Sequence, residues 1–237
     1  MKRFPIRKAC ARVPRDPKAD GLGTDREDRD SGATVKTLGN SKLQVLVRAR
    51  IQRDIEIKQT LLGSDSYHDL VAHVAMQIVK SLRAGGKIMF FGNGGSAADA
   101  QHLAAEFTGR YLKERRALPA LALHANTSSL TAIGNDYGFE FVFARQIEAL
   151  GKDGDVAVGI STSGNSPNVL RALEAAKSKN IYAVALAGKT GGKMKHLADC
   201  TICIPTDETP RIQECHILTG HLICEIAEEL LFGSLQE

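Results

Sequence analysis

Apolar positions follow two distinct rhythms along the chain. Leu43, Leu46, Val47, Ile51, Ile55 and Leu62 recur at helical spacing, and Val71, Val74, Ala75, Ile78, Val79 and Leu82 do so again. Two helices are therefore predicted ahead of the first strand. From Lys87 the rhythm changes to short, nearly unbroken apolar runs: KIMFF (87–91), ALPALAL (117–123), DVAVGI (155–160), YAVALA (182–187) and CTICIP (200–205). Such runs, separated by helical segments, describe strands of a parallel sheet covered on both faces. The stretch from about Arg211 to Leu231 places Ile212, Ile217, Leu218, Leu222, Ile223, Ile226 and Leu230 around much of one helix. A helix of that kind wants burial on more than one side, which points to a subunit interface as well as the domain's own core. The predicted class is α/β: a five-stranded parallel sheet sandwiched by helices in the doubly wound manner, with extra N-terminal helices. No internal repeat is visible. Residues 1 to 40, rich in Arg, Asp, Gly and Pro without apolar period, read as a disordered leader, and 41 to 237 as a single domain.

Composition adjusts this picture only a little. With 237 residues, 43% hydrophobic and 24% charged, the chain can bury a sizeable core. The formal charge of +4 has much of its excess in the first 50 residues, outside the expected body, so a basic groove for nucleic acid is not expected. No apolar run approaches the roughly 18 residues of a membrane span. The Arg-rich start MKRFPIRKACARVPRDP has no apolar h-region for secretion. Its lack of acids before Asp16 fits a transit peptide, but DREDRD (25–30) does not. Five cysteines, an odd number, fit a reducing compartment, and the expected location is cytoplasmic.

In an open α/β sheet the ligand crevice lies beyond the carboxyl ends of the strands. There FGNGGSAA carries Gly92, Gly94 and Ala97 in the relaxed dinucleotide spacing, yet the next strand ends in LHANTSS without the acid that a ribose needs. The alternatives are an anion-binding turn, with Ser96 at the cap of the following helix, and a plain tight turn. ISTSGNSPN gathers Ser161, Thr162, Ser163 and Ser166 around Gly164, with Pro167 suited to the first helical position. This stretch has no GK[ST]. Paired with the first turn, it reads as a neutral cradle for a phosphomonoester. Solvated loop hydroxyls are the bland reading.

His102 and Glu106, four apart on the first helix after that turn, share a face and are either a surface pair or half of a metal site. On the last helix Gln213, His216 and His221 supply further donors for zinc. Gln213 and His221 are eight residues apart, roughly 12 Å along a helix, so spacing alone favours His216 beside Gln213. Asp136 in GNDYGFE reads as a residue of a glycine-flanked turn, and Arg110 as lying on the helix of His102. Cys200-x-x-Cys203 falls in a strand where the two thiols point to opposite faces, which disfavours a zinc knuckle. Cys215 and Cys224 read as packing residues.

Taken together, GNGGSAADAQHLAAEFTGRY, GNDYGFE, GDVAVGISTSGNSPNVL, GKTGGKM and PRIQECHILTGHLICE resemble the sugar-isomerase (SIS) domain family over about residues 50 to 233, and within it the enzymes of heptose phosphates. The resemblance implies one zinc ion held by His102, Glu106, Gln213 and His221, thus His221 rather than His216. It implies substrate contacts at Asn93, Gly94, Gly95, Ser96, Arg110, Asn135, Asp136, Ser161, Thr162, Ser163, Ser166 and Gln213. It also implies a homotetramer with active sites at subunit interfaces and an aldose–ketose isomerisation of sedoheptulose 7-phosphate, with Glu106 as general base and His221 as general acid. One departure is Pro210, where some relatives carry an acid. The rival is a non-catalytic member of the family that binds a sugar phosphate or the replication initiator. The retained Glu106 and His221 favour the enzyme, and no helix-turn-helix is apparent.

Overall fold

The computed structural model describes residues 40–235, so the expected leader lies outside the described residues but for Asn40. α1 (Asn40–Leu62) and α2 (Asp65–Arg83) precede the sheet, as the periodicity predicts. Ser64 caps α2, its hydroxyl accepting the amide N–H of Tyr67, which satisfies one of the helix's orphan donors. The predicted stripe of α2, from Val71 to Leu82, is buried. α1 differs: Ile57 and Leu61 are buried, whereas Leu43, Leu46, Val47, Ile51 and Ile55 are all exposed. Among the described residues its amphipathic face is thus left largely uncovered.

The chain then alternates through β1 (Ile88–Gly92), α3 (Gly95–Thr108), β2 (Ala120–Ala122), α4 (Thr127–Tyr137), α5 (Ala144–Leu150), β3 (Val156–Ser161), α6 (Pro167–Ser178), β4 (Tyr182–Ala187), β5 (Cys200–Cys203) and α7 (Thr209–Phe232). All five strands are parallel, in the order β2-β1-β3-β4-β5. The run ALPALAL contributes only three residues to the sheet, because Pro119 lacks the N–H that a ladder needs. Its carbonyl still accepts from the Ile88 amide at 3.0 Å.

Side chains alternate across the sheet and build two cores. Ile88, Phe90, Val158, Ile160, Val184 and Leu186 pack with α2, α3 and α7, while Met89, Phe91, Ala157, Ala183 and Ala185 pack with α5 and α6. Buried Cys200 joins the first core, and Cys203, three residues on in the strand, is only half-buried. Cys215 and Cys224 are buried as expected. β1 leads outward to β2 and β3 leads the other way to β4, so strand order reverses between β1 and β3. That is the switch point at which a doubly wound sheet opens a crevice.

Candidate active site

The β1–α3 turn is shaped by close approach. A Cβ on Gly92 would stand 2.8 Å from the Ile160 carbonyl oxygen and 2.9 Å from Ser96. Gly94, at φ +55°, is the N-cap of α3. The expectation of Ser96 as cap is therefore corrected: Ser96 is the second helical residue and is buried, because glycine alone takes the left-handed conformation the turn requires. Gly95 lies directly under α7, where an added Cβ would fall 2.4 Å from the Gln213 amide nitrogen. Asn93 exchanges two amide hydrogen bonds of 2.9 Å with buried Asn168 in the first turn of α6. This pair ties the two sides of the switch point together. Asn168 escaped the sequence reading, although it directly follows NSP.

On the other side of the crevice the hydroxyls converge. Buried Ser161 places its Oγ 2.9 Å from Ser166 Oγ and 3.4 Å from Ser163 Oγ. Pro167 starts α6 as predicted, and Ser166 caps it without turning its hydroxyl onto the helix. That hydroxyl remains in the cluster. Thr162 accepts the Gly188 amide N–H at 3.1 Å, and Met194 N–H donates to the Gly164 carbonyl at 3.1 Å. Gly164 has φ +65°, and a Cβ there would meet the Gly191 carbonyl at 2.3 Å. The segment GKTGGKM is thus the wall that holds the cradle closed.

His102, Glu106 and His221 form the second cluster. Their ligand atoms all lie within 4.8 Å of one another. His102 Nε2 stands 2.9 Å from His221 Nε2 and 3.3 Å from Glu106 Oε1. Two imidazoles of one residue class meeting nitrogen to nitrogen, with a carboxylate oxygen beside them, present the donor set that zinc takes, and the separations suit ligands about 2 Å from a common ion. The residues fit the metal. The cluster is open to the surface, His102 being exposed and the other two half-buried. Leu103, beside His102, is what makes glycine necessary at 220: a Cβ there would come within 2.5 Å of the Leu103 methyls. The closeness of α3 and α7 at that point brings His221 to His102.

The other expected residues fall elsewhere. Gln213 rests over Gly95, roughly 12 Å before His221 along α7, and among the described residues it makes no hydrogen bond to the trio. His216 is 1% exposed on the face of α7 that meets the sheet, and neither ring nitrogen completes a hydrogen bond. Burial pushes its imidazole down to about 4. It is not a member of the trio, contrary to what spacing favoured. Arg110 is not on the helix of His102, since α3 ends at Thr108; it lies past the helix, 3.8 Å from Glu114. Asn135 and Asp136 occupy the last turn of α4 rather than a loop, with Asn135 donating to Asp136 at 2.8 Å. Asp136 lines an open cleft of about 800 Å³ with Gln101, Thr108 and Arg145, and none of the cradle serines or of the trio lines it. Asp99, missed by the sequence reading, stands one turn before His102; burial raises its carboxyl and the charge of His102 opposes that.

The model of the SIS domain matches residues 57–188. The chain belongs to the SIS domain family. It is 51% identical over 186 residues to a phosphoheptose isomerase of Aneurinibacillus thermoaerophilus, covering 78% of this chain and 94% of the relative. It is 58% identical over 161 residues to the phosphoheptose isomerase of Rhodospirillum rubrum, covering 68% and 86%. The solved phosphoheptose isomerase of Neisseria gonorrhoeae superimposes with a TM-score of 0.74 at 45% identity, over 79% of this chain and 99% of that one. With these relatives, this SIS domain is an isomerase. The family model spans both turns, His102 and Glu106, and stops at Gly188, before α7 supplies His221.

Proposed function

We propose that the chain isomerises D-sedoheptulose 7-phosphate to D-glycero-D-manno-heptose 7-phosphate, with Glu106 and His221 moving the protons. The observation that carries this reading is the juxtaposition of His102, Glu106 and His221 within 4.8 Å in a fold whose cradle of Ser161, Ser163 and Ser166 suits a phosphomonoester. The carboxylate of Glu106 takes a proton from C1 of the open-chain ketose as His221 protonates the C2 oxygen, which yields the cis-enediol. Glu106 then returns its proton to C2, and the C1 hydroxyl gives its proton back to His221 as the aldehyde forms. Each group ends as it began. Oε1 of Glu106 faces His102, which leaves the carboxylate's other oxygen for the proton. A zinc ion would be held by His102, Glu106 and His221, and would supply Lewis-acid stabilisation of the negative charge that develops on the substrate oxygens.

The phosphate sits on the hydroxyls of Ser161, Thr162, Ser163 and Ser166, and Asn93, Gly94, Gly95, Ser96 and Gln213 line the sugar's path on the other side of the crevice. Four subunits assemble with the active sites between them. The uncovered apolar residues of α1, the absence of any buried residue in α4 and the openness of the trio support this. It also accounts for Arg110, Asn135 and Asp136 lying away from the cradle of their own chain. Because the hydroxyls of the phosphate cradle come from the β3–α6 turn and not from α3, Glu106→Gln is expected to bind sugar phosphate while turnover drops about 10²- to 10⁴-fold. Full turnover in that variant removes Glu106 from the base role.

A further inference from the structure

The segment that follows α3, residues 109 to 119, has no regular structure, yet it is anchored by a buried ion pair. Glu228 of α7, its side chain 3% exposed, accepts the amide N–H groups of Tyr111 at 3.2 Å and of Leu112 and Lys113 at 2.8 Å each, and the Nε of Arg115 at 2.9 Å. Arg115, 2% exposed, spends its other nitrogens on carbonyls: Nη2 on Glu106 at 2.7 Å, Nη1 on Phe107 at 2.9 Å, Gly109 at 3.1 Å and Arg116 at 3.0 Å. A guanidinium at a helix C-terminus both satisfies orphan carbonyls and complements the dipole. Burial alone would raise the Glu228 carboxyl, but the three amides and the guanidinium outweigh it and hold it below the usual carboxylate range.

The two ends of this device touch the trio. Arg115 bonds the carbonyl of Glu106 itself. Glu228 bonds the amide of Tyr111, whose ring lies 5.8 Å from that of His221 at 36°. One buried pair therefore sets the end of the helix that carries Glu106 and presents an aromatic ring to His221. A loop of this kind could be anchored far more simply by apolar side chains, and a buried pair is a poor source of net stability compared with well-packed apolar groups. We infer that Arg115 and Glu228 are positioning residues for the active site: they fix Glu106 directly and His221 through Tyr111. The inference rests on the reading of the trio as the metal and proton-transfer centre.

The test is a cobalt titration of the full chain, followed by visible absorption, together with the imidazole NMR resonances of His221 in metal-free protein. Glu228→Gln is expected to weaken cobalt binding 10- to 100-fold, the range found when groups behind metal ligands are changed, and to move the His221 resonances. Tyr111→Ala, which leaves the buried pair intact, is expected to reproduce part of both effects and keeps the test open if Glu228→Gln fails to fold. Leu173→Ala, in the core on the opposite face of the sheet, serves as the control for lost stability and leaves both readouts at wild-type values. Unchanged cobalt affinity and unchanged His221 resonances in folded Glu228→Gln and in Tyr111→Ala overturn the inference. Absence of cobalt binding in the wild-type protein overturns the metal reading instead, and the His221 resonances still decide the positioning role.

Discussion

His216 lies at the centre of the buried face of α7, with Ile212, Cys215, Thr219 and Ile223 around it. At about 100° per residue, His216 is turned roughly 60° from Gln213 toward the sheet, and His221 roughly 80° the other way toward the surface. Axial spacing alone does not reveal that difference in direction. It is why spacing alone sets His216 beside Gln213, and why only the packed helix separates this core imidazole from the one that meets His102 and Glu106. The buried ring has a consequence for stability. Its pKa of about 4 in the folded chain lies below the ordinary 6.5, so the unfolded chain binds the extra proton first. Stability is then at its full value above pH 6.5 and falls as pH drops from there toward 4, by up to about 3 kcal/mol. Thermal melts across that range are expected to show the fall in the wild-type protein and a flatter profile in His216→Gln; equal slopes for both would remove His216 as the source.

At the scale of elements, the β1–α3 turn and α7 meet where a side chain would not fit. Gly95→Ala puts a methyl against the end of the flexible Gln213 side chain, at a helix start where alanine is a better helix former than glycine. The expected outcome is a melting temperature equal to or above that of the wild type, with a several-fold rise in KM for the sugar phosphate because Gln213 is displaced. An unchanged KM would place Gln213 outside the substrate path. Gly164→Ala differs in kind: φ of +65° and the Gly191 carbonyl at 2.3 Å leave no room to yield, so it is expected to lower stability by about 1–2 kcal/mol or more. Much of this layer is legible in the sequence. Continuous apolar runs mark β1, β3 and β4, and Pro167 marks the start of α6. The errors lie where glycine is ambiguous. Gly134 and Gly138 mark residues 135 to 137 as a turn in the sequence, whereas these residues complete the last turn of α4, and Gly109 ends α3 before Arg110. The cradle could be read because its hydroxyls are consecutive. The Arg115–Glu228 pair could not, since its partners are 113 residues apart and neither residue type in isolation signals burial.

For the whole molecule, the face of α1 that the other described residues leave exposed and the openness of the trio to the surface both support the proposed assembly. Among the described residues, the 23-residue α1 leaves Leu46, Ile51 and Ile55 exposed, an apolar strip that other copies would cover in the proposed tetramer. Light scattering of the wild-type protein is expected to give about four times the 25.5 kDa chain mass, and Ile51→Asp with Ile55→Asp to give smaller, folded and inactive species. A fully active monomer would contradict shared active sites. Among the described residues no helix is long and apolar enough to cross a membrane. Isomerisation of the heptulose phosphate is tested by incubating the zinc-loaded protein with D-sedoheptulose 7-phosphate and following the sugar by NMR. The expected result is the appearance of aldoheptose 7-phosphate signals, lost on chelation and restored by zinc; no conversion of the heptulose phosphate under conditions in which a ketohexose phosphate is converted would contradict it.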